Sequence, residues 1–254
     1  MSFPASKRWH SFWLSVKFSF ARLLRLDLVH CQNRYFAELS RLLPQNCRWL
    51  DVGCGKQIVP SWAIPLAEQG ILVKRSRMFL GADVDDSLTA HPLLTHRLFA
   101  SASRLPFDSG QFDFVTANMV VEHLDRPETF FAEAARVLAP GGSLLIHTPN
   151  FRYYLVFLAW LCPEFIKKTV VALLEGRREE DIFFTYYRAN TAARARTLAA
   201  TAGLSVHSVS VNGSVGSFGF LGPIGVLEVV LLKLLSLKPF RSCGQVLLVV
   251  MKKP

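Results

Sequence analysis

The order of hydrophobic and polar positions predicts a chain in which strands and helices alternate. Short apolar runs bounded by turn residues predict strands at Arg48–Val52, Met78–Val84, Phe112–Ala117, Ser143–Thr148, Leu204–Val211 and Gln245–Met251. Apolar residues at three- and four-residue spacing predict helices at Cys31–Leu43, Pro60–Gln69, Pro127–Leu138 and Thr191–Ala202. The sequence Pro140-Gly141-Gly142 predicts a turn after the third of these helices. This alternation favours an α/β fold with a parallel sheet covered by helices on both faces.

Residues 1–26 combine an apolar stripe with basic side chains and contain no acidic residue. Helical spacing relates the apolar members of this segment, Trp9, Phe12, Trp13, Val16, Phe20, Leu23 and Leu24. We expect its basic side chains to be available to anionic head groups: Lys7, Arg8, Lys17, Arg22 and Arg25. The favoured interpretation is a helical lid packed on the domain, and the alternative is an amphipathic helix at a membrane interface. Organellar transit peptides are likewise basic, contain Ser and lack acidic residues, so the segment also fits that class.

No stretch of the sequence predicts a membrane-spanning helix, which needs about 20 mostly apolar residues. The apolar run Tyr153–Cys162 is too short, and the run Val226–Leu237 contains Glu228 and Lys233. A secretory signal is not expected either, because Lys17 and Arg22 interrupt the candidate apolar region.

Length and composition then narrow the class of protein. The 254 residues are 51% hydrophobic, which suits one large α/β domain and excludes a disordered chain. Lys and Arg exceed Asp and Glu by 29 to 19, a net charge of +10, which favours an anionic partner. The five cysteines are scattered and lack metal-site spacing, so we expect reduced thiols, a cytoplasmic location and no metal.

The sharpest local signal is an apolar strand that ends in an acid and a Gly-x-Gly turn, Asp51-Val52-Gly53-Cys54-Gly55. Glycine allows a tight turn and lets a ligand approach bare backbone. A second acid, Asp83, ends the next predicted strand about 30 residues later, where a carboxylate can accept hydrogen bonds from both ribose hydroxyls of a nucleoside. Glycine in an ordinary turn and an acid in a solvated loop are the alternative explanations.

Further blocks follow in order, and with them the chain resembles the class I S-adenosylmethionine-dependent methyltransferases. They are Leu105-Pro106-Phe107, Phe112-Asp113, Glu122-His123-Leu124, Arg136-Val137-Leu138 and Pro140-Gly141-Gly142. Together with the first motif they cover residues 49–150. The resemblance implies a Rossmann-like methyltransferase fold with a mostly parallel seven-stranded sheet, in which Gln245–Met251 is the antiparallel last strand. It is specific for fold and cofactor and says little about the substrate.

The resemblance also implies a set of residues that bind S-adenosylmethionine. Asp51, Gly53, Cys54 and Gly55 match the motif that approaches the methionine moiety, and Asp83, followed by Val84, matches the ribose acid. The adenine is flanked by Ser101 and Ala102, and Asn118 lies beside the transferable methyl group. Two departures lower the expected affinity: Lys56-Gln57 where the family often has a small residue then glycine, and Ser101 where an Asp is common.

Methyl transfer needs mainly positioning, and a base only if the acceptor must lose a proton. His123 is the candidate base, although a structural role in the loop after strand four is the favoured interpretation. His147 is expected in the middle of a strand as a core or edge residue.

The whole chain, 1–254, is interpreted as one methyltransferase domain. Residues 1–44 form the lid or membrane-surface segment, 45–150 the cofactor-binding core, and 151–190 and 212–242 apolar insertions that cover the substrate. These insertions are rich in aromatic residues, among them Phe151, Tyr153, Tyr154, Phe157, Trp160 and Phe165, and then Phe183-Phe184-Thr185-Tyr186-Tyr187-Arg188. They form either a hydrophobic subdomain core or a greasy pocket.

The predicted function is methyl transfer to a small or lipid-like acceptor, with an anionic membrane surface as a further candidate partner. Nucleic acid is disfavoured, because the sequence has no Asn-Pro-Pro-Tyr block and its basic residues cluster on an amphipathic helix. The alternative is a non-catalytic binding or membrane-associated scaffold that kept the fold, for which Gln57 and Ser101 are the best support.

Overall fold

The computed structural model describes residues 4–27, 29–163, 184–213 and 222–254. Its α-helices are α1 (Pro4–Leu23), α2 (Cys31–Leu42), α3 (Leu66–Val73), α4 (Pro127–Val137), α5 (Tyr154–Leu161), α6 (Ala192–Thr201) and α7 (Pro223–Leu235). Short 3₁₀ turns lie at Asp86–Ala90, Val121–His123 and Lys238–Cys243. The predicted insertion residues Phe165 and Phe183, and residues 214–221 of the second predicted insertion, lie outside the described residues.

One sheet of seven strands forms the centre of the molecule. The strands are β1 (Cys47–Val52), β2 (Ser76–Asp83), β3 (His96–Phe99), β4 (Phe112–Asn118), β5 (Leu138–Pro149), β6 (Ser205–Asn212) and β7 (Val246–Lys252). Their order across the sheet is β3-β2-β1-β4-β5-β7-β6. The strands β1 to β5 pair in parallel, whereas β7 runs antiparallel to both β5 and β6. The predicted seven-stranded, mostly parallel sheet with an antiparallel last strand is confirmed.

Helices cover both faces of this sheet, as the apolar pattern predicts. Neighbouring residues on β1 point to opposite sides, so Leu50 belongs to one hydrophobic cluster and Trp49 to the other. The cluster around Leu50 includes residues of α4 and α6, such as Phe130 and Leu198. The cluster around Trp49 includes Leu39 of α2 together with Leu72 of α3.

Two local predictions are wrong, and proline explains one of them. The helix after the Gly-x-Gly turn begins at Leu66 rather than at Pro60, because Pro65 disfavours helical geometry in the residue before it. Pro140-Gly141-Gly142 lies inside β5 rather than in a free turn. There Gly141 adopts φ +76° at an irregularity in the pairing of β4 and β5, and its N–H donates to the carbonyl of Lys253.

Helices α1, α5 and α7, which we call the helical layer, meet around one buried carboxylate outside the cofactor-binding motifs. Helix α1 packs against α7. The ammonium of Lys17 in α1 lies 3.3 Å from Glu228 in α7, and both side chains are at most 3% exposed. The hydroxyl of Tyr154 at the start of α5 donates to the other oxygen of Glu228 over 3.1 Å. The expectation that Lys17 is available to lipid head groups is therefore wrong, because the side chain is committed to Glu228.

The apolar stripe expected on α1 is only partly exposed. Trp13, Val16, Phe20 and Leu24 are partly buried, whereas Trp9, Phe12 and Leu23 are more than half exposed. None of the described helices is both long and apolar enough to cross a bilayer.

Candidate cofactor site at the carboxyl ends of the central strands

The sequence-predicted cofactor residues come together where β1, β2 and β4 end. Asp51 and the Gly-x-Gly turn follow β1, Asp83 ends β2, and Asn118 ends β4. In open α/β sheets the carboxyl ends of the strands form the crevice where ligands bind. The fold thus brings residues that are about 65 positions apart in the chain to one edge.

The two glycines of the first turn have different roles. Both have positive φ, +67° at Gly53 and +49° at Gly55. A Cβ on Gly53 would lie 2.3 Å from a methyl group of Val120, so this glycine is required by packing. A Cβ on Gly55 would meet no atom within 4 Å, so the space above this glycine is open to a ligand.

Asp83 holds the turn and keeps acceptor capacity for a ligand. One oxygen of its carboxylate accepts the Gly55 N–H at 2.8 Å, and the other accepts the Asp85 N–H at 3.1 Å. An ionised carboxylate has about four acceptor positions, so about two remain beside the open face of Gly55. Two free acceptors next to bare backbone suit the two hydroxyls of a ribose.

The far side of the site is more open and less polar. Val84 is 69% exposed directly after Asp83, and Phe99 is largely exposed at the end of β3. Ala102 packs against the core, whereas the Ser101 hydroxyl is exposed and lies 2.8 Å from the hydroxyl of Ser103. Apolar side chains here can lie against a flat aromatic ring, while Ser101 offers it an uncharged polar contact.

Asp51 lies below the turn rather than at the surface of the crevice. The Thr116 hydroxyl donates to its carboxylate at 2.6 Å and itself accepts the indole N–H of Trp49 at 2.8 Å. Burial raises the pKa of Asp51 to about 7, and the nearby charge of Asp83 adds to this rise. A positively charged ligand group above the turn would favour the ionised form of this carboxyl.

Cys54 contributes backbone rather than side chain. Its thiol is buried against Gly81, where a Cβ would approach the sulfur to 2.6 Å. Burial, together with the charges of Asp51 and Asp83, raises the pKa of the thiol, so it stays protonated.

The side chain of Asn118 braces the site from below. Its amide group donates to the side-chain oxygen of Gln32 and to the Ile58 carbonyl, each at 3.0 Å. The ring of His147 donates from Nδ1 to the Asn118 side-chain oxygen at 2.8 Å. Asn118 therefore joins α2, the loop after the Gly-x-Gly turn, and β5 at one point.

His147 is a buried neutral residue of β5, as the sequence predicts for a core position. Its Nε2 has no hydrogen-bond partner among the described residues, and its ring stacks on Tyr35 of α2 with centroids 5.3 Å apart. Burial lowers the pKa of His147 to about 3, so it carries no charge at neutral pH. The sequence did not single out Gln32 or Tyr35, since they lie outside the motifs.

His123 connects the loop after β4 to residues that precede α6. Its Nδ1 donates to the carbonyl of Phe184 at 2.8 Å, and its Nε2 lies 4.0 Å from the carboxylate of Glu122. The Glu122 carboxylate also accepts the Thr148 hydroxyl, and the Glu122 carbonyl accepts the Tyr186 N–H. These contacts tie the loop to the segment expected to cover the substrate.

The two departures from the family pattern leave the crevice open. The Gln57 side chain is turned back to accept the Ser61 N–H at 3.2 Å. Lys56 is exposed, and hydrogen bonding from Ser87, aided by the charge of Lys56, lowers the pKa of Asp85. No cluster of His, Cys, Asp and Glu that could hold a metal ion occurs in the described part of the chain.

Comparison with known proteins identifies the domain. Residues 50–146 match the model of the family described as methyltransferase domain. A ubiquinone biosynthesis O-methyltransferase of Thiobacillus denitrificans is 28% identical over 158 residues, covering 54% of this chain and 64% of that protein. A malonyl-[acyl-carrier protein] O-methyltransferase of Hahella chejuensis is 45% identical over 49 residues, covering 19% of this chain and 18% of that protein. The chain thus spans less than two thirds of the length of these relatives.

Solved structures agree with the fold. An S-adenosylmethionine-dependent methyltransferase from Mesorhizobium loti superposes with a TM-score of 0.55 at 16% identity, covering 86% of this chain and 97% of the other. The YcgJ protein from Bacillus subtilis gives a TM-score of 0.51 at 13% identity, and the superposition covers 86% of this chain and 97% of the YcgJ chain. Residues 50–146 thus match a methyltransferase domain, and the described chain shares its fold with these solved structures.

Proposed function

We propose that the protein transfers a methyl group from S-adenosylmethionine to a small or lipid-like acceptor. One observation carries the proposal: Asp83 clamps the turn at Gly55 and still has free acceptor positions beside the open space above that glycine. When bound, S-adenosylmethionine supplies a methyl group that its sulfonium has already activated. The chain then has to bind, orient and exclude water, which supplies much of the acceleration.

The residues of the crevice divide this work. Asp83 binds the ribose hydroxyls, and Asp51 lies below the methionine end, where its ionised form favours a positive charge. The remaining proposed cofactor positions provide backbone, apolar surface or, at Ser101, an uncharged polar contact: Gly53, Cys54, Gly55, Val84, Ser101 and Ala102. Asn118 acts as a positioning residue, because its side chain is hydrogen-bonded to Gln32, the Ile58 carbonyl and His147.

His123 serves to brace the substrate-side loop rather than to remove a proton. Its Nδ1 is already bonded to the Phe184 carbonyl, which fixes the ring between two segments. A base role would need Nε2 to reach the acceptor, and that atom faces the Glu122 carboxylate at 4.0 Å. The bond from Nδ1 to the Phe184 carbonyl therefore favours the bracing role.

A lipid-like acceptor is favoured by the aromatic surface that follows β5. The Phe151 ring lies within 6.0 Å of the rings of Phe157, Trp160 and Tyr187, measured between centroids. Such surfaces bind apolar ligands and leave orientation to a few polar groups. Two relatives are O-methyltransferases, one of ubiquinone biosynthesis and one of malonyl-[acyl-carrier protein], which supports an oxygen acceptor.

We further propose one domain, with residues 45–150 as its cofactor core and 151–190 and 212–242 as its substrate cover. We place the protein in the cytoplasm, in peripheral contact with an anionic membrane. The five cysteines form no disulfide, which supports a reducing compartment.

Two measurements test the proposed activity. Calorimetry with S-adenosylmethionine should show binding by the parent protein and strong weakening in Asp83→Ala. Methyl-labelled cofactor, incubated with lipid and metabolite extracts, should label an acceptor in a reaction that Asp83→Ala does not perform. Absence of cofactor binding by the folded parent protein would instead support a non-catalytic scaffold, for which the uncharged Ser101 is the specific observation.

A further inference from the structure

The outer side of α7 is an exposed apolar surface, and the described residues include no partner for it. Gly225, Glu228, Val229 and Leu232 are buried, at spacings that define one helix face. The opposite face exposes four large aliphatic side chains, Ile224, Leu227, Leu231 and Leu234. A helix with one packed face and one exposed aliphatic face has two contact surfaces, and the core uses only the first.

The other two helices of the helical layer extend this apolar surface. Helix α5 exposes Phe157, Leu158, Trp160 and Leu161, and α1 exposes Trp9, Phe12, Phe18 and Leu23. The exposed patch therefore includes two Trp residues, a side chain that is enriched where apolar and aqueous phases meet.

The charged side chains of the helical layer are basic, apart from one buried acid. Within α1, α5 and α7 the only acidic residue is Glu228, and it is buried with Lys17 and Tyr154. Exposed basic side chains lie next to the patch, namely Arg22 and Arg25 at and after the end of α1, and Lys238 and Arg241 after α7. The exposed Asp27, which also follows α1, is paired with Arg34. An apolar patch flanked by exposed cations complements an anionic, apolar partner.

From these contacts we infer that the helical layer is the surface by which the protein docks, lying flat, on a bilayer containing anionic phospholipid. The inference rests on the proposed peripheral function and identifies its contact surface. Basic amphipathic helices with Trp, Phe and Leu bind interfaces in this way, through apolar burial plus attraction to anionic head groups. A second copy of the chain is a poorer occupant, because it would bring two sets of cations together.

Vesicle sedimentation tests the inference with variants matched for exposure. Leu227→Glu puts a charge on a side chain that is 68% exposed in α7, and Ile71→Glu does the same at a 67% exposed position of α3. On vesicles of phosphatidylcholine with 30% phosphatidylglycerol, Leu227→Glu should reduce binding at least tenfold. Ile71→Glu should bind like the parent protein.

Charge variants test the second half of the inference. The triple change Arg22→Gln, Lys238→Gln and Arg241→Gln should weaken binding to anionic vesicles about a hundredfold, at roughly fivefold per charge. The control removes three exposed charges outside the helical layer, namely Lys74→Gln, Arg77→Gln and Arg104→Gln. It should bind like the parent protein, and binding by the parent should weaken as salt rises.

Three results would overturn the inference. The first is that the parent protein does not bind anionic vesicles, and the second is that it binds vesicles of phosphatidylcholine alone equally well. The third is that sedimentation velocity shows a dimer that Leu227→Glu dissociates. Calorimetry with S-adenosylmethionine on the same variants distinguishes failure of the membrane inference from failure of the proposed activity. Leu227→Glu should keep parental cofactor affinity while it loses the membrane.

Discussion

Replacing Asp83 by Ala should weaken S-adenosylmethionine binding by about 10² to 10⁴-fold. The carboxylate has about two acceptor positions left after it accepts the Gly55 and Asp85 N–H groups. Each hydrogen bond from a ribose hydroxyl to a charged acceptor contributes about 1.5–3 kcal/mol, so two contribute about 3–6 kcal/mol. Each 1.4 kcal/mol corresponds to a factor of ten in affinity, which gives the stated range.

Isothermal calorimetry with S-adenosylmethionine and S-adenosylhomocysteine measures this loss directly. Asp85→Asn is the matched control, because it removes the same charge two residues away while its amide oxygen can still accept the Ser87 N–H. It should bind both ligands nearly as the parent does. Parental affinity in a folded Asp83→Ala variant, checked by its melting temperature, would refute the ribose assignment.

Three other changes test separate parts of the site. Gly55→Val should abolish cofactor binding in calorimetry. Gly203→Val is the control for backbone strain, because Gly203 also has positive φ and equally open surroundings, and this variant should bind the cofactor normally. Asp51→Asn should become more stable relative to the parent as pH rises. In the folded parent the pKa of Asp51 is about 7 rather than the ordinary 3.8, so the parent loses stability between about pH 4 and 7. Urea unfolding should show a change of about 3 kcal/mol in the stability difference from pH 5 to 8. A constant difference between the two proteins across that range would contradict the raised pKa. His123→Ala should lower the melting temperature by roughly 2–6 °C, because the bond to Phe184 is lost, and should slow methyl transfer less than tenfold. A loss of 10²–10⁴-fold in rate at an unchanged melting temperature would identify His123 as a general base.

The central strands were predictable because their signal is local. Arg48–Val52 and Phe112–Ala117 are apolar runs that end in recognisable motifs, and the structure extends each by one residue. β3, by contrast, was not predicted, because His96–Phe99 is only four residues long and mostly exposed. A strand at the edge of a sheet needs little apolar character, so its sequence carries little signal.

The motif residues of the site were predictable, whereas their supporting contacts were not. Asp83 and Gly55 lie together as the resemblance implies. The bond from Asn118 to Gln32 joins residues 86 positions apart, and Lys17 pairs with Glu228 over 211 positions. Periodicity reports which side of a helix is apolar, and it contains no information on which distant charge a lysine will meet. That is why Lys17 was expected on the surface.

The position of β7 has a consequence for how the protein is synthesised. Residues Val246–Lys252 pair with β5 on one side and β6 on the other, although both partners are made earlier. While a ribosome is still translating the preceding segment, β5 has an unpaired edge and β6 has no neighbour in the sheet. Exposed strand edges can pair with other chains, so the nascent protein passes through an aggregation-prone stage. Overexpression at low temperature or with chaperones should therefore raise the yield of folded protein more than any change to the cofactor site.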